Sequence, residues 1–290
     1  MAKNIDFSQN NCSKLLSVFE SVIPQNSDVI VIYSGIWSFA HIFRMDPKIV
    51  ANFILDCIDR YIDDSTTIIF PSFYASEFIK TKNFDLSLSI PKESGLLSIA
   101  ALKDSGFTRT HTPLSSYLIK GPMTKDVMSL ESSTSWGKDS ILSWMVDVDA
   151  LICPLGIDWH AGCSLFHIIE EDLQVPYRYF KRFAGKMYNN GNFISSCSEV
   201  RYSYPLNVPL AFDYSVTTTS LKNNFEVLNS SDNNISMQSA GAKDILSASR
   251  KVLEGDIFAY VKNKEDALNW IMNYKETEIL SLTEDQRYVL

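Results

Sequence analysis

The sequence predicts an α/β fold, a three-layer sandwich around a central, mostly parallel or mixed sheet, with an antiparallel C-terminal extension. Three observations predict it. The apolar runs DVIVIY (28–33) and TTIIFP (66–71) read as buried strands and flank a segment of helical periodicity. Strand, helix and strand in so short a span make a crossover unit, which joins parallel strands. Beyond Val175 the chain changes to aromatic, alternating pieces that suit antiparallel pairing. With 290 residues, 46% hydrophobic and 21% charged, the chain can bury a sizeable core. It contains no repeat and no linker, so one domain over 1–290 is expected.

In order along the chain, a first helix is built on Leu15, Leu16, Phe19, Val22 and Ile23, and the first strand ends at Ser34 and Gly35. The crossover helix is well marked. Asp46 can cap it, Pro47 suits its first position, and Val50, Phe53, Ile54, Cys57 and Ile58 recur at helical spacing. A polar loop through Asp85 and Pro91 then leads to a helix over 94–105, with Gly106 suited to end it in the left-handed conformation. A strand over 116–120, a helix near 139–145 and a strand over 150–155 precede a helix that starts near Ser164. Antiparallel strands are expected at 177–183, 193–197 and 200–204. The Asn- and Ser-rich stretch 223–236 reads as a loop, followed by a helix over 242–253, a strand over 256–261 and a helix from Lys264 to about Tyr274.

Composition removes several classes of function. A formal charge of −8, with no cluster of Lys and Arg, offers no footprint for nucleic acid. The longest apolar runs fall far short of the roughly 20 residues of a membrane-spanning helix. The N-terminal MAKNIDFSQNN lacks an apolar signal core, so a cytoplasmic location is expected. Five scattered cysteines without C-x-x-C spacing read as free thiols. G-x-S-x-G, a Walker loop and G-x-G-x-x-G are all absent. His160 and His167, separated by a turn, do not form a metal-ligand pattern, and no metal is expected.

One segment carries chemistry. In LICPLGIDWHAGCSLFHIIEE (151–171) a buried strand runs through a turn into a helix bearing His167, with Glu170 at i+3 and Glu171 at i+4. If Cys163 or Ser164 caps that helix, a carboxylate can hold one ring nitrogen of His167 and leave the other as a general base. Strand ends meeting helix starts are where open α/β sheets bind ligands. The same three residues on a solvated helix would instead merely complement its dipole.

Four ordered segments resemble the aminoglycoside 3-N-acetyltransferase family. VIYSGIWSF, with Tyr33, Ser34, Gly35 and Ile36, is similar to the family's first strand end, which has a histidine, two serines and a leucine. IIFPS (68–72), followed by Phe84, Asp85 and Gly95, matches a second. His111, Thr112, Pro113, Leu114 and Ser115, then Gly121, resemble its His-Pro-x-x-Ser element, with Thr112 inserted and Arg109 one place from the family's arginine. GKDSIL, LICPLG, Ser164, His167 and Glu170 resemble its last element, with Cys163 and Ser164 where Asn-Thr is usual. The likeness spans 28–171, leaving about 175–240 as an acceptor-side extension.

The resemblance implies an acetyl-coenzyme A co-substrate and an amino-sugar acceptor, either an aminoglycoside or a nucleotide-linked sugar destined for polysaccharide. It implies His167 as general base and Glu170 as its orienting partner. Backbone N–H groups of Ser34, Gly35 and Ile36 would hold coenzyme A, while His111 and Ser115 would line the thioester end. A homo-dimer is kept open as the assembly. Two rival readings remain at this level: a binding or assembly protein that kept the fold, and a serine hydrolase using Ser115 or Ser34 with His167.

Overall fold

The computed structural model describes residues 2–205, 208–230 and 235–288. Its organising strand is β1 (Val29–Ser34), whose side chains divide strictly by alternation. Val29, Val31 and Tyr33 enter one apolar cluster, and Ile30 and Ile32 the other. A strand apolar on both faces must be covered on both, which makes three layers. β1 pairs in parallel with β2 (Thr67–Pro71), as the crossover unit requires, and with β6 (Leu151–Leu155).

The remaining strands are β3 (Asn83–Asp85), β4 (Thr108–Arg109), β5 (Tyr117–Lys120), β7 (Tyr179–Asn189), β8 (Asn192–Ser203), β9 (Leu228–Ser230) and β10 (Met237–Gly241). Among the described residues the main sheet runs β4-β5-β2-β1-β6-β10-β9, with its outer strands antiparallel. The sheet is therefore mixed about a parallel centre. Helices Ala2–Val22, Trp37–Phe43, Pro47–Tyr61 and Gly95–Lys103 cover one face through Phe19, Phe39, Phe43, Ile54 and Leu97. Helices Ile141–Asp147, Phe166–Asp172 and Ala242–Gly255 cover the other through Met145, Phe166, Ile169, Ile245 and Leu253. Each such side chain, fully buried, contributes about 1.5–3 kcal/mol.

The predicted extension is a second sheet, β3-β7-β8. Its three expected strands are two long ones, joined by Asn190 and Gly191, whose φ values of 49° and 79° make a tight hairpin turn. Asp85 anchors that turn by accepting the N–H groups of Asn190 (3.2 Å) and Gly191 (2.7 Å). The helix cap at Asp46 also forms, its carboxylate accepting the Lys48 N–H at 2.9 Å.

Several elements differ from expectation. The helix over 94–105 ends at Lys103 because Asp104 turns extended, and Gly106, whose N–H is taken by the Asp104 carboxylate, is not left-handed. Segment 256–261 is a turn, because the Asp256 side chain captures the Phe258 N–H at 2.9 Å. Only Val261 makes a bridge, to Phe212. Stretch 223–236 contains β9, with 231–234 outside the described residues. β10 and helix Trp37–Phe43 have no counterpart in the sequence reading, and the polar loop at Asp85 begins in β3. The His167 helix starts from Leu165, without a side-chain cap from Cys163 or Ser164.

Gly156, just past β6, has φ +69°, and a Cβ there would lie 2.6 Å from both the Gly35 carbonyl oxygen and Phe39. Gly156→Ala is therefore expected to lower stability by about 2–4 kcal/mol, from left-handed strain plus overpacking. Denaturant titration checks this, and a loss below about 1 kcal/mol would show that the loop relaxes freely.

Candidate active site

The helix Phe166–Asp172 is one of the elements closing the sheet, and its apolar face, Phe166 and Ile169, buries Glu170 with it. Glu170 is fully buried and Arg178 is 1% exposed. They form a two-pronged ion pair, Arg178 Nε to Oε1 at 3.0 Å and Nη2 to Oε2 at 2.9 Å. The Tyr177 hydroxyl donates to Oε1 at 3.1 Å, and His167 Nδ1 lies 2.6 Å from Oε2. Burial alone would raise the Glu170 carboxyl, but Arg178 and the His167 contact outweigh it and hold the group below the usual carboxylate range. An ionised Glu170 accepts the Nδ1 proton, so the lone pair of His167 is on Nε2.

The imidazole itself stacks on Trp136, ring centres 4.3 Å apart, with Tyr214 edge-on at 5.6 Å. Burial pushes its pKa below the ordinary 6.5, against the pull of Glu170 and in the same direction as the Arg178 and Arg201 charges. The ring is therefore neutral at pH 7. Its side chain keeps 24% exposure, at the junction of two cavities. The smaller, about 440 Å³ with the solvent at its mouth, is lined by Phe73, Leu114, Ser115, Tyr117 and Ser164 among others. The larger, about 940 Å³ on the same measure, is walled by one face of the β7–β8 hairpin. Trp136, His167 and Arg201 border both.

A second buried carboxylate shapes the smaller cavity. Glu199 accepts the Leu114 N–H at 2.7 Å and the hydroxyls of Ser115 and Ser135. Arg201 spans this network, donating to the Leu114 carbonyl at 3.0 Å and to Ser135 at 3.3 Å, and covers the Trp136 ring.

The sequence-predicted residues separate into three groups. His167, Glu170 and Ser115 come to the site, although Ser115 is 3% exposed and spends its proton on Glu199 rather than on the cavity. That bond also directs Ser115 away from a nucleophile-base contact with His167. Ser34, Gly35 and Ile36 line neither of these two cavities. The Gly35 N–H donates to the Leu155 carbonyl at 2.9 Å, and Ile157 fills the space its missing Cβ leaves, so its close approach is to protein rather than ligand. His111 is exposed and borders other depressions with Val127 and Phe107, and it lines neither of the two His167 cavities. Glu171, the alternative partner, packs its Oε1 against Gly137, and burial raises its acid to about 7. Arg109 is buried against the Phe84 ring and bonds the Ser72 and Ser89 carbonyls, a structural role.

Trp136 and Glu199 are site residues the sequence does not mark, while Arg178 and Arg201 fall in the basic, aromatic stretches YRYFKRF (177–183) and RYSYPL (201–206), which make a phosphate-bearing sugar conceivable. The basic, aromatic text of YRYFKRF and RYSYPL was the available signal, because alternation puts Tyr179, Lys181 and Phe183 on one face. Among the described residues no three His, Cys, Asp or Glu side chains converge as a metal site, and no helix is long and apolar enough to cross a membrane.

The layered fold is shared with several solved structures. The chain is similar to aminoglycoside acetyltransferase AAC(3)-IVa as apoenzyme (14% identity, TM-score 0.66, 89% of this chain and 96% of that one). It is also similar to AAC-IIIb crystallised with CoASH (15%, 0.69, 84% and 96%) and to YokD from Bacillus subtilis (9%, 0.67, 85% and 94%). No curated protein matches the chain significantly in sequence. The aminoglycoside 3-N-acetyltransferase family model matches residues 47–261, most of the chain, and the protein belongs to that family. It is thus an enzyme of the N-acetyltransferase class, and the match begins after the Ser34–Ile36 element and continues beyond residue 171 to 261.

Two outcomes follow from the buried triad. NMR titration of the imidazoles, with His167→Asn assigning the resonance, should give His167 a midpoint below 6.5; a value above it would mean that the Glu170 charge outweighs burial. Glu170→Gln leaves the Arg178 charge buried without its partner and is expected to cost about 3–5 kcal/mol in unfolding experiments. A loss under about 1 kcal/mol would show that Arg178 finds solvent or another anion.

Proposed function

We propose that the protein moves an acetyl or short acyl group from coenzyme A to an amino group of an amino sugar, an aminoglycoside or a nucleotide-linked sugar, with His167 as general base. The observation that carries this reading is the position of the His167 ring, held by Glu170 and bordering two cavities. Its Nδ1 is locked on Glu170 and its Nε2 is left at the junction of two cavities. Family membership supports acetyl-coenzyme A as the donor, and AAC-IIIb, a structure of similar fold, was crystallised with CoASH.

The donor thioester enters the smaller cavity, lined by Phe73 just past the end of β2 and by Ser164, and the acceptor enters the larger. The unprotonated amine attacks the thioester carbonyl and forms a C–N bond, and the carbonyl π electrons move to oxygen. As the tetrahedral species collapses, the C–S bond breaks and its electron pair leaves with coenzyme A sulfur. The surplus N–H proton passes to His167 Nε2, and the imidazolium so formed is stabilised by Glu170. That proton then leaves with the thiol or to solvent. No covalent enzyme intermediate is required, since the thioester is already activated.

Thiol release from acetyl-coenzyme A, measured with a panel of amino sugars for the wild type and His167→Ala, tests the reading. The variant should lose about 10²-fold or more in kcat while acetyl-coenzyme A binding is preserved. Undiminished turnover in His167→Ala would remove His167 as the base, and acceptor-independent release would indicate a hydrolase. Silence of the wild type across the panel would favour a binding protein.

A further inference from the structure

The larger cavity has a charge pattern that the acyl-transfer reading alone does not explain. Its hairpin wall presents Tyr179, Lys181 and Phe183 from β7 and Arg201 and Ser203 from β8. Lys181 and Arg201 are direct partners across the strand pair. Like charges directly opposite one another destabilise a sheet. Neither makes an ion pair within 4 Å among the described residues. The Lys181 ammonium rests over Phe183 at 5.6 Å, and the Arg201 guanidinium over Trp136 at 5.3 Å. Glu199 and Glu93 act on Arg201 only at longer range, and the Glu199 oxygens are already bonded to Leu114, Ser115 and Ser135. Among the described residues no Asp or Glu lines this cavity, and its third cation, Arg178, is neutralised from behind by Glu170.

Resting on the acyl-transfer reading, we propose that the acceptor is an amine carried by a phosphate-bearing molecule, a sugar phosphate or nucleotide-linked sugar, whose phosphate sits between Lys181 and Arg201. A polycation would meet two like charges and no carboxylate in this cleft, whereas a phosphate relieves the repulsion built into the strand pair. The aromatic side chains beside them, Phe212 and the 45%-exposed Tyr204, offer ring faces for a sugar or base. Coenzyme A also carries phosphates, and the Lys181 variants separate the two sources.

Calorimetric binding of UDP-glucosamine, glucosamine 1-phosphate, glucosamine, gentamicin and acetyl-coenzyme A, at two salt concentrations, tests this. The phosphate-bearing amines should bind at least about tenfold tighter than glucosamine, weakening with salt. Lys181→Met, at a partly exposed strand position, should erase most of that advantage, Lys181→Arg should keep it, and acetyl-coenzyme A affinity should stay within about twofold in both. Tighter binding of gentamicin than of either phosphate-bearing amine would overturn the proposal. So would phosphate-bearing amines binding no better than glucosamine, or a Lys181→Met loss confined to acetyl-coenzyme A. Expected binding without thiol release would leave the anion site standing and sink the acyl-transfer reading instead.

Discussion

The site depends on one buried ion pair. Glu170 comes from a helix against the main sheet, and Arg178 from the segment that opens the hairpin sheet, so their contact fixes where the second sheet sits relative to the first. Two full charges out of water are rarely a net source of stability, because desolvation cancels most of their attraction. What the pair supplies is a single geometry. Arg178 also donates to the Tyr202 carbonyl and the Tyr214 hydroxyl and lies against the rings of Trp136, Tyr204 and Phe212. Moving it would disturb the walls of the cleft and the imidazole together.

The second carboxylate, Glu199, extends the same logic from β8 to the loops at Leu114 and Ser135. Each buried glutamate is satisfied by protein donors, and each lies behind a cation that faces the cleft. Glu170 does this by direct pairing with Arg178, and Glu199 by way of the Ser135 hydroxyl that Arg201 also touches. The larger cavity therefore presents positive and aromatic groups, with the Glu170 and Glu199 charges kept inside the protein, whereas the exposed Glu93 lines the smaller one. An overall charge of −8 says nothing about this inner surface.

The parts legible in the sequence are those written locally. Strand alternation in 28–33, the Asp46-Pro47 helix start and the three-residue step from His167 to Glu170 each survive folding as read. Long-range partners were not legible: Trp136 reaches His167 from 31 positions earlier, and nothing near it in sequence marks a stacking role. Gly35 shows a subtler limit. A glycine at a strand end signals a close approach, but sequence alone does not say whether the visitor is a ligand or, as here, Ile157. β10, with only Met237 and Ala240 buried as apolar contacts, is a strand because β6 offers it an edge, not because MQSAG demands one.

The depressed basicity of His167 constrains when a proton can move. An ordinary sugar ammonium holds its proton far more tightly than an imidazole whose pKa lies below 6.5, so His167 is a poor acceptor from the ground-state ammonium. Once the C–N bond has formed, oxygen and sulfur on the adjacent carbon withdraw electrons and make the same N–H much more acidic, and a weak base then suffices. The amine must therefore arrive already neutral. In the proposed reaction a late proton transfer to His167 therefore fits, with the ion pair behind Nδ1 leaving Nε2 as the receiving atom.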